Sequence, residues 1–273
     1  MKRFAVIGNP IEHSLSPNLH NWLFNHLNIP AKYEKIRVYK NTLKATVQRI
    51  GNGELDGINV TIPHKEKIME YLDEINPRAK AIGAVNCVMR SKSKLIGNNT
   101  DWLGFSKAME LNNIQLSGNE VIVLGAGGSS KSILFALKLM GVSKIKLLNR
   151  TIEKAKALED KIITAYSPSD AIQVIKNNSI IINTTSVGMQ NAQFPLDPGM
   201  LHENQVLIDV IYTPLDTAIL KFGNKIGAKT LNGLDMFIYQ ALASMDLWFG
   251  EDISMQVNFP HLKTYLENKL CLQ

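Results

Sequence analysis

Hydrophobic positions along the chain switch repeatedly between two spacings. Short apolar runs such as Phe4–Ile7 and Val121–Leu124 are typical of buried strands, whereas the stretch 19–27 repeats its apolar residues at helical intervals. Strands that alternate with amphipathic helices indicate βαβ units, in which helical crossovers join parallel strands. The pattern therefore predicts an α/β protein.

Two α/β domains follow one another in this pattern. In residues 1–103 the predicted strands are Phe4–Ile7, Tyr33–Val38, Gly57–Ile62 and Ala84–Met89. In residues 104–237 they are Glu120–Leu124, Lys144–Leu148, Ser179–Ile182, Val206–Ile211 and Ala228–Leu231. The predicted later helices are Trp102–Leu116, Leu234–Phe249 and Leu262–Leu270. We expect a mixed-sheet α/β domain, to which residues from about 238 to 273 return, and a Rossmann-type doubly wound domain.

Composition narrows the class of partner. The chain has 273 residues, of which 45% are apolar and 20% charged, so it has ample apolar surface for two folded domains. Its net charge of +6 suits a small anionic ligand but is too weak and dispersed to indicate nucleic acid. No apolar run reaches the roughly 18 residues of a membrane helix, and none forms a signal peptide. We therefore expect a cytoplasmic protein that contacts no membrane.

Metal chemistry is not indicated by the sequence. Cys87 and Cys271 lie far apart, without the paired spacing of zinc or redox motifs. The six histidines are scattered and form no ligand cluster. The sequence therefore predicts no metal site and no disulfide framework.

A glycine-rich turn joins the first strand of the second domain to a helix. Gly125-Ala126-Gly127-Gly128-Ser129 follows the apolar run Val121–Leu124, and helical spacing resumes after it. Glycines let the backbone approach a pyrophosphate closely, and the free N–H groups at the start of the helix attract that anion. The turn predicts dinucleotide binding, with Ser130 in place of the last glycine of the motif.

Two other interpretations of the same turn stay open. Residues 125–132 nearly match the P-loop pattern, although Ser130 again replaces a required glycine. Asp209, at the end of a later strand, resembles the acidic residue that holds magnesium in P-loop enzymes. A glycine turn that serves only the packing of strand on helix is the third interpretation. The loop alone does not decide among them.

The end of the next predicted strand bears on the choice of cofactor. An acidic residue there would bind the ribose 2′-hydroxyl of NAD, but the chain has Arg150, followed by Lys154 and Lys156. A guanidinium suits the 2′-phosphate of NADP, whereas Lys156 is explained equally well as part of a solvated helix face. The sequence therefore predicts NADP.

Polar residues in the first domain lie where a ligand would bind. Ser14 and Ser16 flank a helix start, where two hydroxyls suit a carboxylate, although Ser16 is also explained as the N-cap. Lys65 follows the carboxyl end of a predicted strand, a usual place for ligands in open α/β sheets. Asn86 is predicted inside an apolar strand, where its amide needs partners. Asp101, at another helix start, is either a ligand-facing carboxylate or an N-cap.

Taken in order, these segments resemble the shikimate dehydrogenase family. The motifs that carry the resemblance are Gly8-Asn9-Pro10 with Ser14-x-Ser16-Pro17, Asn59-Val60-Thr61-Ile62-Pro63-His64-Lys65, Gly83-Ala84-Val85-Asn86, Asn99-Thr100-Asp101, Gly125-Ala126-Gly127-Gly128, Asn149-Arg150-Thr151 and Asn232-Gly233-Leu234-Asp235-Met236. They cover nearly the whole chain and favour a dinucleotide over the P-loop. The resemblance implies an enzyme that reversibly reduces 3-dehydroshikimate to shikimate with NADPH, on the route to chorismate and the aromatic amino acids.

The resemblance also implies roles for single residues. The catalytic pair would be Lys65 and Asp101. Substrate would be bound by Ser14, Ser16, Thr61, Asn86, Tyr212 and Gln240. NADP would be bound by Gly125, Ala126, Gly127, Gly128, Ser129, Asn149, Arg150, Thr151, Lys154, Ile211, Gly233 and Met236. We expect His13 and His64 to line or cover the site, and a monomer or homodimer to be the working form.

Three alternatives remain at this point. A quinate/shikimate dehydrogenase that uses NAD is the nearest, and Arg150 together with the Ser14–Ser16 pair argues against it. An ATP-hydrolysing P-loop protein is disfavoured by Ser130 and Arg150. A non-catalytic NADPH-binding sensor is disfavoured by the presence of both Lys65 and Asp101.

Overall fold

A computed structural model of the chain describes residues 1–175, 179–250 and 252–271. The chain divides into two compact units, one made of Met1–Gly104 with Ile238–Gln273 (unit 1) and the other of Phe105–Phe237 (unit 2). Each unit contains its own six-stranded sheet. The two predicted α/β sheets are therefore present, and both boundaries between the units fall inside helices.

Unit 1 is built on a mixed sheet, as predicted. Its strands are β1 (Lys2–Gly8), β2 (Ala31–Arg37), β3 (Gly57–Val60), β4 (Glu74–Ile75), β5 (Cys87–Ser91) and β6 (Lys94–Asn98), in the order β2-β1-β3-β5-β6-β4. Its helices are α1 (Ser16–His26), α2 (Leu43–Gly51), α3 (Pro77–Ile82), the start of α4 (Asp101–Leu111), most of α9 (Leu234–Phe249) and α10 (Phe259–Cys271). β1 is parallel to β2 and β3, whereas β5 is antiparallel to β3 and β6.

One strand prediction for unit 1 needs correction, and two strands are not predicted. The predicted strand Ala84–Met89 begins only at Cys87, where the ladder with β3 starts, so Asn86 lies just before a strand and not inside one. The residues that precede it are buried because they cross the core, where the backbone N–H of Val85 donates to the carbonyl of Lys65 at 2.7 Å. The sequence does not reveal β4 and β6, because neither short strand shows a clear apolar alternation.

Helix ends also differ from expectation, for local reasons. The prediction of Ser16 as an N-cap is wrong, because α1 begins at Ser16 itself and has no side-chain cap. Instead, the hydroxyl of Ser14 accepts from the backbone N–H of Ser16 at 3.3 Å. The predicted helix Trp102–Leu116 ends at Leu111, and Asn113 follows with a φ of 51°, a left-handed conformation that asparagine tolerates after a helix.

Unit 2 has the strand order of a Rossmann domain. Its strands are β7 (Glu120–Leu124), β8 (Lys144–Leu148), β9 (Ile163–Tyr166), β10 (Ile180–Asn183), β11 (Val206–Asp209) and β12 (Lys229–Leu231). Its remaining helices are α5 (Gly128–Leu139), α6 (Ile152–Lys156), α7 (Ala171–Val174) and α8 (Ala218–Ile226). All strand pairs are parallel, and the order β9-β8-β7-β10-β11-β12 matches the doubly wound dinucleotide fold. The predicted fold is confirmed, with β9 as an edge strand that the sequence does not reveal.

Two further features are absent from the residues that the structure describes. None of the helices there combines the length and hydropathy that a bilayer-spanning segment needs. Likewise, no three His, Cys, Asp or Glu side chains gather in these ranges into a potential metal site. Short 3-10 helices complete the secondary structure at Lys67–Tyr71, Pro168–Asp170, Pro198–Met200 and Ile253–Gln256.

A buried histidine gives unit 1 a testable pH dependence. His20 on α1 is fully buried and stacks on Tyr33 with ring centroids 4.2 Å apart. Desolvation lowers the pKa of His20 from 6.5 to about 3. The unfolded chain then binds the extra proton between these values, so His20 costs no stability above about pH 6.5 and progressively more as the pH falls towards 3.

Replacing His20 by phenylalanine should remove this contribution to the pH dependence of the free energy of unfolding. Between about pH 4.5 and 6.5, the free energy of unfolding of the wild type should gain about 2 kcal/mol relative to His20→Phe. Urea unfolding at the two pH values measures the difference. Equal pH slopes for wild type and variant would show that His20 does not titrate as its burial requires.

Candidate functional site

Two loops of unit 1 meet at the carboxyl ends of β1 and β3. The backbone N–H of Asn9 donates to the carbonyl of Ile62 at 2.9 Å, and the N–H of Thr61 donates to Ile7 at 2.9 Å. Gly8 makes this approach possible, since a Cβ there would lie 2.5 Å from Cγ2 of Thr61. The predicted Ser14–Ser16 segment and the predicted Thr61–Lys65 segment therefore start side by side.

The two serines form a local hydroxyl pair at the start of α1. The Oγ atoms of Ser14 and Ser16 lie 3.2 Å apart, and Ser16 is only 6% exposed. Ser14 is half-buried. Two neighbouring hydroxyls at the start of an 11-residue helix can donate to an anion such as a carboxylate.

Lys65 and Asp101 form a buried ion pair. Nζ of Lys65 donates to Oδ2 of Asp101 at 2.7 Å, and the two residues are 9% and 5% exposed. Lys65 lies in the turn that follows β3, and Asp101 is the first residue of α4. An ammonium beside a carboxylate in a water-poor site can stabilise developing negative charge and transfer a proton.

The amide of Asn86 holds the other side of the Asp101 carboxylate. The backbone N–H of Thr100 donates to Oδ1 of Asn86 at 2.7 Å, which turns Nδ2 towards Oδ1 of Asp101, also at 2.7 Å. Nδ2 also lies 3.4 Å from Oε1 of Gln240 on α9. The structure thus brings together four of the predicted site residues in unit 1: Lys65, Asn86, Asp101 and Gln240.

The sequence analysis assigns no site role to three buried polar residues that surround Asn86, although two of them stand in its motifs. Asn59 in β3, Thr100 before α4 and Ser244 on α9 are each less than one tenth exposed. Nδ2 of Asn59 donates to the hydroxyl of Ser244 at 2.9 Å. A signal existed for Asn59, because a polar amide inside the buried strand Gly57–Val60 needs partners. Ser244 carries no comparable signal in a helix that is apolar on most sides.

The two histidines expected near the site differ in environment. His64 is buried, and its Nε2 lies 2.7 Å from the carbonyl oxygen of Val38, so it ties the loop before Lys65 to the end of β2. His13 is exposed, one residue before Ser14. The structure therefore gives His64 a role in holding its loop.

In unit 2, the glycine turn lies between β7 and α5, as the sequence predicts. Gly127 is the N-cap of α5 with no side-chain cap, and a Cβ on Gly127 would have no neighbour within 4 Å. Gly125 has a φ of +105°, and a Cβ there would lie 2.8 Å from Oγ1 of Thr184. The turn therefore combines a conformation that requires glycine with open space at the start of a helix. Ser130 fixes it by donating to the carbonyl of Gly125 at 2.5 Å.

The segment after β8 carries the predicted cofactor-selecting residues. Nδ2 of Asn149 donates to the carbonyl of Thr151 at 2.7 Å, which closes the turn into α6. Arg150, Lys154 and Lys156 are exposed on this turn and helix. The segment therefore adds positive charge beside the carboxyl end of a strand that neighbours the glycine turn.

A third group of predicted residues lies together after β11. The backbone N–H of Gly233 donates to the carbonyl of Ile211 at 3.0 Å, and a Cβ on Gly233 would lie only 2.1 Å from the carbonyl oxygen of Val210. Met236 is 9% exposed on the first turn of α9. Tyr212, predicted to face the substrate, stacks on Phe237 with ring centroids 4.1 Å apart.

Asp209 has a structural environment instead of the exposed position of a magnesium ligand. Its carboxylate accepts from Nδ2 of Asn183 at 3.1 Å, from the N–H of Ile211 at 3.0 Å and from the hydroxyl of Thr217 at 2.8 Å. Burial raises the pKa of Asp209 from 3.8 to about 6. Asp209 therefore anchors the segment that carries Ile211, and the P-loop interpretation loses its magnesium residue.

Comparison with known proteins agrees with this geometry. The family described as "Shikimate dehydrogenase substrate binding domain" matches residues 6–88, and "Shikimate / quinate 5-dehydrogenase" matches residues 107–193. The chain is 42% identical over 255 residues to an NADP(+) shikimate dehydrogenase of Bacillus cereus strain AH187, covering 90% of this chain and 92% of that protein.

Solved structures give the same result. Shikimate dehydrogenase 1 of Peptoclostridium difficile is 33% identical with a TM-score of 0.86, covering 100% of this chain and 98% of that one. Shikimate 5-dehydrogenase of Thermus thermophilus, solved in complex with NADP(H) and shikimate, is 32% identical with a TM-score of 0.84, covering 97% of this chain and 98% of that one. With domain matches in both units and this coverage, the chain belongs to the shikimate dehydrogenase family.

Proposed function

We propose that the protein catalyses the reversible, NADP-dependent reduction of 3-dehydroshikimate to shikimate, within chorismate and aromatic amino acid biosynthesis. The observation that carries the proposal is the buried Lys65–Asp101 pair at 2.7 Å. It lies in a family whose curated relatives are named NADP(+) shikimate dehydrogenases. A sensor that only binds NADPH has no use for a buried proton-transfer pair, whose desolvation opposes folding.

Polar groups of unit 1 match the functional groups of the substrate. The hydroxyls of Ser14 and Ser16 bind the carboxylate, because they are neighbours at a helix start. The ring hydroxyls are bound by Thr61, Asn86, Asp101 and Gln240. Such a site rejects molecules that lack these groups, since its polar atoms would then be left unpaired.

Lys65 stabilises the negative charge that develops on the substrate and transfers a proton to it. When bound, NADPH supplies the hydride that adds to the ketone carbon. The ketone oxygen then develops negative charge, which the Lys65 ammonium stabilises before its Nζ donates a proton to that oxygen. Asp101 orients Nζ through Oδ2 and accepts a hydrogen bond from a substrate hydroxyl. In the oxidative direction Nζ of Lys65 acts as the base and accepts the proton of the substrate hydroxyl.

The residues of unit 2 suit NADP. The open space at Gly127 and the uncapped start of the 12-residue helix α5 fit a pyrophosphate, as do the backbone atoms of Gly125–Ser129. Asn149, Arg150, Thr151 and Lys154 would hold the 2′-phosphorylated ribose. Ile211, Gly233 and Met236 would contact the nicotinamide end. Arg150 provides the planar donor set that a phosphate prefers.

An absorbance assay at the reduced-nicotinamide band tests the proposal. Shikimate and quinate are each offered with NADP and with NAD. We expect turnover to be fastest with shikimate and NADP. Faster turnover with quinate and NAD would instead identify an NAD-dependent quinate/shikimate dehydrogenase. No turnover with any pair, despite tight NADPH binding, would overturn the proposal in favour of a sensor.

Arg150→Ala should change cofactor preference. A charged hydrogen bond contributes roughly 1.5–3 kcal/mol, so the ratio of kcat/KM for NADP over NAD should fall about tenfold to a hundredfold. Steady-state kinetics with both cofactors measures it. Lys156→Ala, on the exposed face of α6, is the matched control and should leave the ratio unchanged. An unchanged ratio in Arg150→Ala would exclude Arg150 from 2′-phosphate binding.

The proposal needs a small-molecule partner only. We propose that the protein acts in the cytoplasm on shikimate and 3-dehydroshikimate, without nucleic acid or membrane, as a monomer or homodimer. The mild net charge of +6 favours small anions such as these. Light scattering coupled to size exclusion distinguishes the monomer from the homodimer.

A further inference from the structure

A chain of buried hydrogen bonds lies behind the Lys65–Asp101 pair in unit 1. Its five side chains come from β2, β3, the segments before β5 and α4, and α9, and each is at most 6% exposed: Tyr33, Asn59, Asn86, Thr100 and Ser244. We infer that Ser244 and Tyr33 are positioning residues that hold Asp101 in its working orientation. The inference rests on the role proposed above for Asp101.

The direction of each bond around Asn59 is determined by its partners. Nδ2 of Asn59 lies 3.3 Å from the carbonyl oxygen of Asn86, which can only accept, so Nδ2 must face that side. Oδ1 of Asn59 therefore accepts from the hydroxyl of Tyr33 at 2.7 Å. Nδ2 also donates to Oγ of Ser244 at 2.9 Å, and the Ser244 hydroxyl donates to the backbone carbonyl of Gln240 at 2.9 Å.

The orientation of the Asn86 side-chain amide is also determined by its partners. The N–H of Thr100 can only donate, so it fixes Oδ1 of Asn86 on its side, at 2.7 Å. Nδ2 then donates to Oδ1 of Asp101 at 2.7 Å and to Oγ1 of Thr100 at 2.9 Å. The Thr100 hydroxyl lies 3.2 Å from Oγ of Ser244 and 3.2 Å from Oδ1 of Asn86, and its one hydrogen is shared between these two acceptors.

Asp101 lies at the end of this ordered array. One carboxylate oxygen receives an amide N–H from Asn86, and the other receives the Lys65 ammonium. Ser244 and Tyr33 touch neither Asp101 nor Lys65 in these bonds. They hold Asn59, whose Nδ2 shares the carbonyl of Asn86 with the backbone N–H of Val60, and Ser244 also contacts the Thr100 hydroxyl. Loosening either anchor therefore lets the amide that faces Asp101 move.

Ser244→Ala and Tyr33→Phe each remove one oxygen atom from the array. We expect kcat for shikimate oxidation to fall about threefold to tenfold in each variant. This range corresponds to the free energy that one hydrogen bond contributes. The KM for NADP should stay unchanged. Thr46→Val is the matched control, because Thr46 is a buried hydroxyl of unit 1 that bonds to Thr42 instead of to this array. It should leave kcat unchanged.

A double-mutant cycle separates positioning from general stability. In an Asp101→Asn background, Ser244→Ala should change kcat by less than about twofold, because the group that it positions is already lost. A purely structural effect of Ser244→Ala would be as large in that background as in the wild type. An undiminished effect would overturn the inference, as would wild-type kcat in both single variants.

A measurement without turnover keeps this inference separate from the proposed function. The side-chain amide signals of Asn86 in an NMR spectrum are those that Asn86→Asp removes. Their hydrogens should exchange about tenfold faster in Ser244→Ala than in the wild type or in Thr46→Val. If the wild type fails to oxidise shikimate, the proposed function falls, and the exchange rates still decide the inference. Equal rates in all three proteins would overturn it.

Discussion

Lys65→Ala should lower kcat for shikimate oxidation by about 10²- to 10⁴-fold, the usual worth of a positioned acid–base group. The variant lacks both the cation that stabilises charge on the substrate oxygen and the proton carrier for that oxygen. NADP binding should be unchanged, since the cofactor residues belong to unit 2. Stopped-flow or steady-state absorbance measures the rate, and NADPH fluorescence titration measures binding.

Lys67→Ala is the control for this substitution. Lys67 lies two residues further on, exposed and paired with Glu70 at 2.6 Å, so its loss removes the same charge without touching the buried pair. It should keep kcat within about twofold. Turnover that survives in Lys65→Ala would remove Lys65 from the reaction.

Asp101→Ala should lower the free energy of unfolding by about 3–5 kcal/mol, because it leaves a buried ammonium without its carboxylate. Lys65 is only 9% exposed, so water replaces the lost partner only in part. The double variant Lys65→Met with Asp101→Leu should regain most of that stability, since two apolar side chains need no pairing. Urea unfolding at neutral pH compares the three proteins.

Catalysis should not follow stability in this series. Both variants should be inactive with shikimate and NADP, although only Asp101→Ala is unstable. Glu70→Ala breaks an exposed pair and should change neither property noticeably. If Asp101→Ala were as stable as the wild type, the pair would not be desolvated in the way its burial indicates.

How much the sequence predicts depends on how local the determining interactions are. The strands Glu120–Leu124 and Lys144–Leu148 and the helix Leu234–Phe249 match the structure to the residue, because the spacing of their apolar residues is a local signal. The strands β4 and β9 escape prediction because short edge strands bury little and carry no regular alternation. The sequence places Asn86 wrongly within a strand, because its apolar neighbours would be buried whether or not they formed the hydrogen bonds of a sheet.

The candidate site follows the same rule. Lys65, Asp101, Gly125 and Arg150 stand in recognisable motifs at the ends of strands or starts of helices, so the sequence indicates them. Ser244 lies 185 residues from its partner Asn59. Only the packing of α9 in unit 1 joins the two, and no spacing along the chain encodes that contact.

Gly8 has a consequence for how substrate choice can change in this family. Because a Cβ at this position would lie 2.5 Å from Thr61 and 3.0 Å from the carbonyl of Ile62, any side chain here must widen the gap between two loops. Ser14 and Ser16 follow one of these loops, and Thr61 and Lys65 lie on the other. In the binding mode proposed above, Gly8 therefore sets the distance between the two groups of substrate-binding side chains without being one of them. A substitution at Gly8 would change that distance while every proposed binding side chain stays the same.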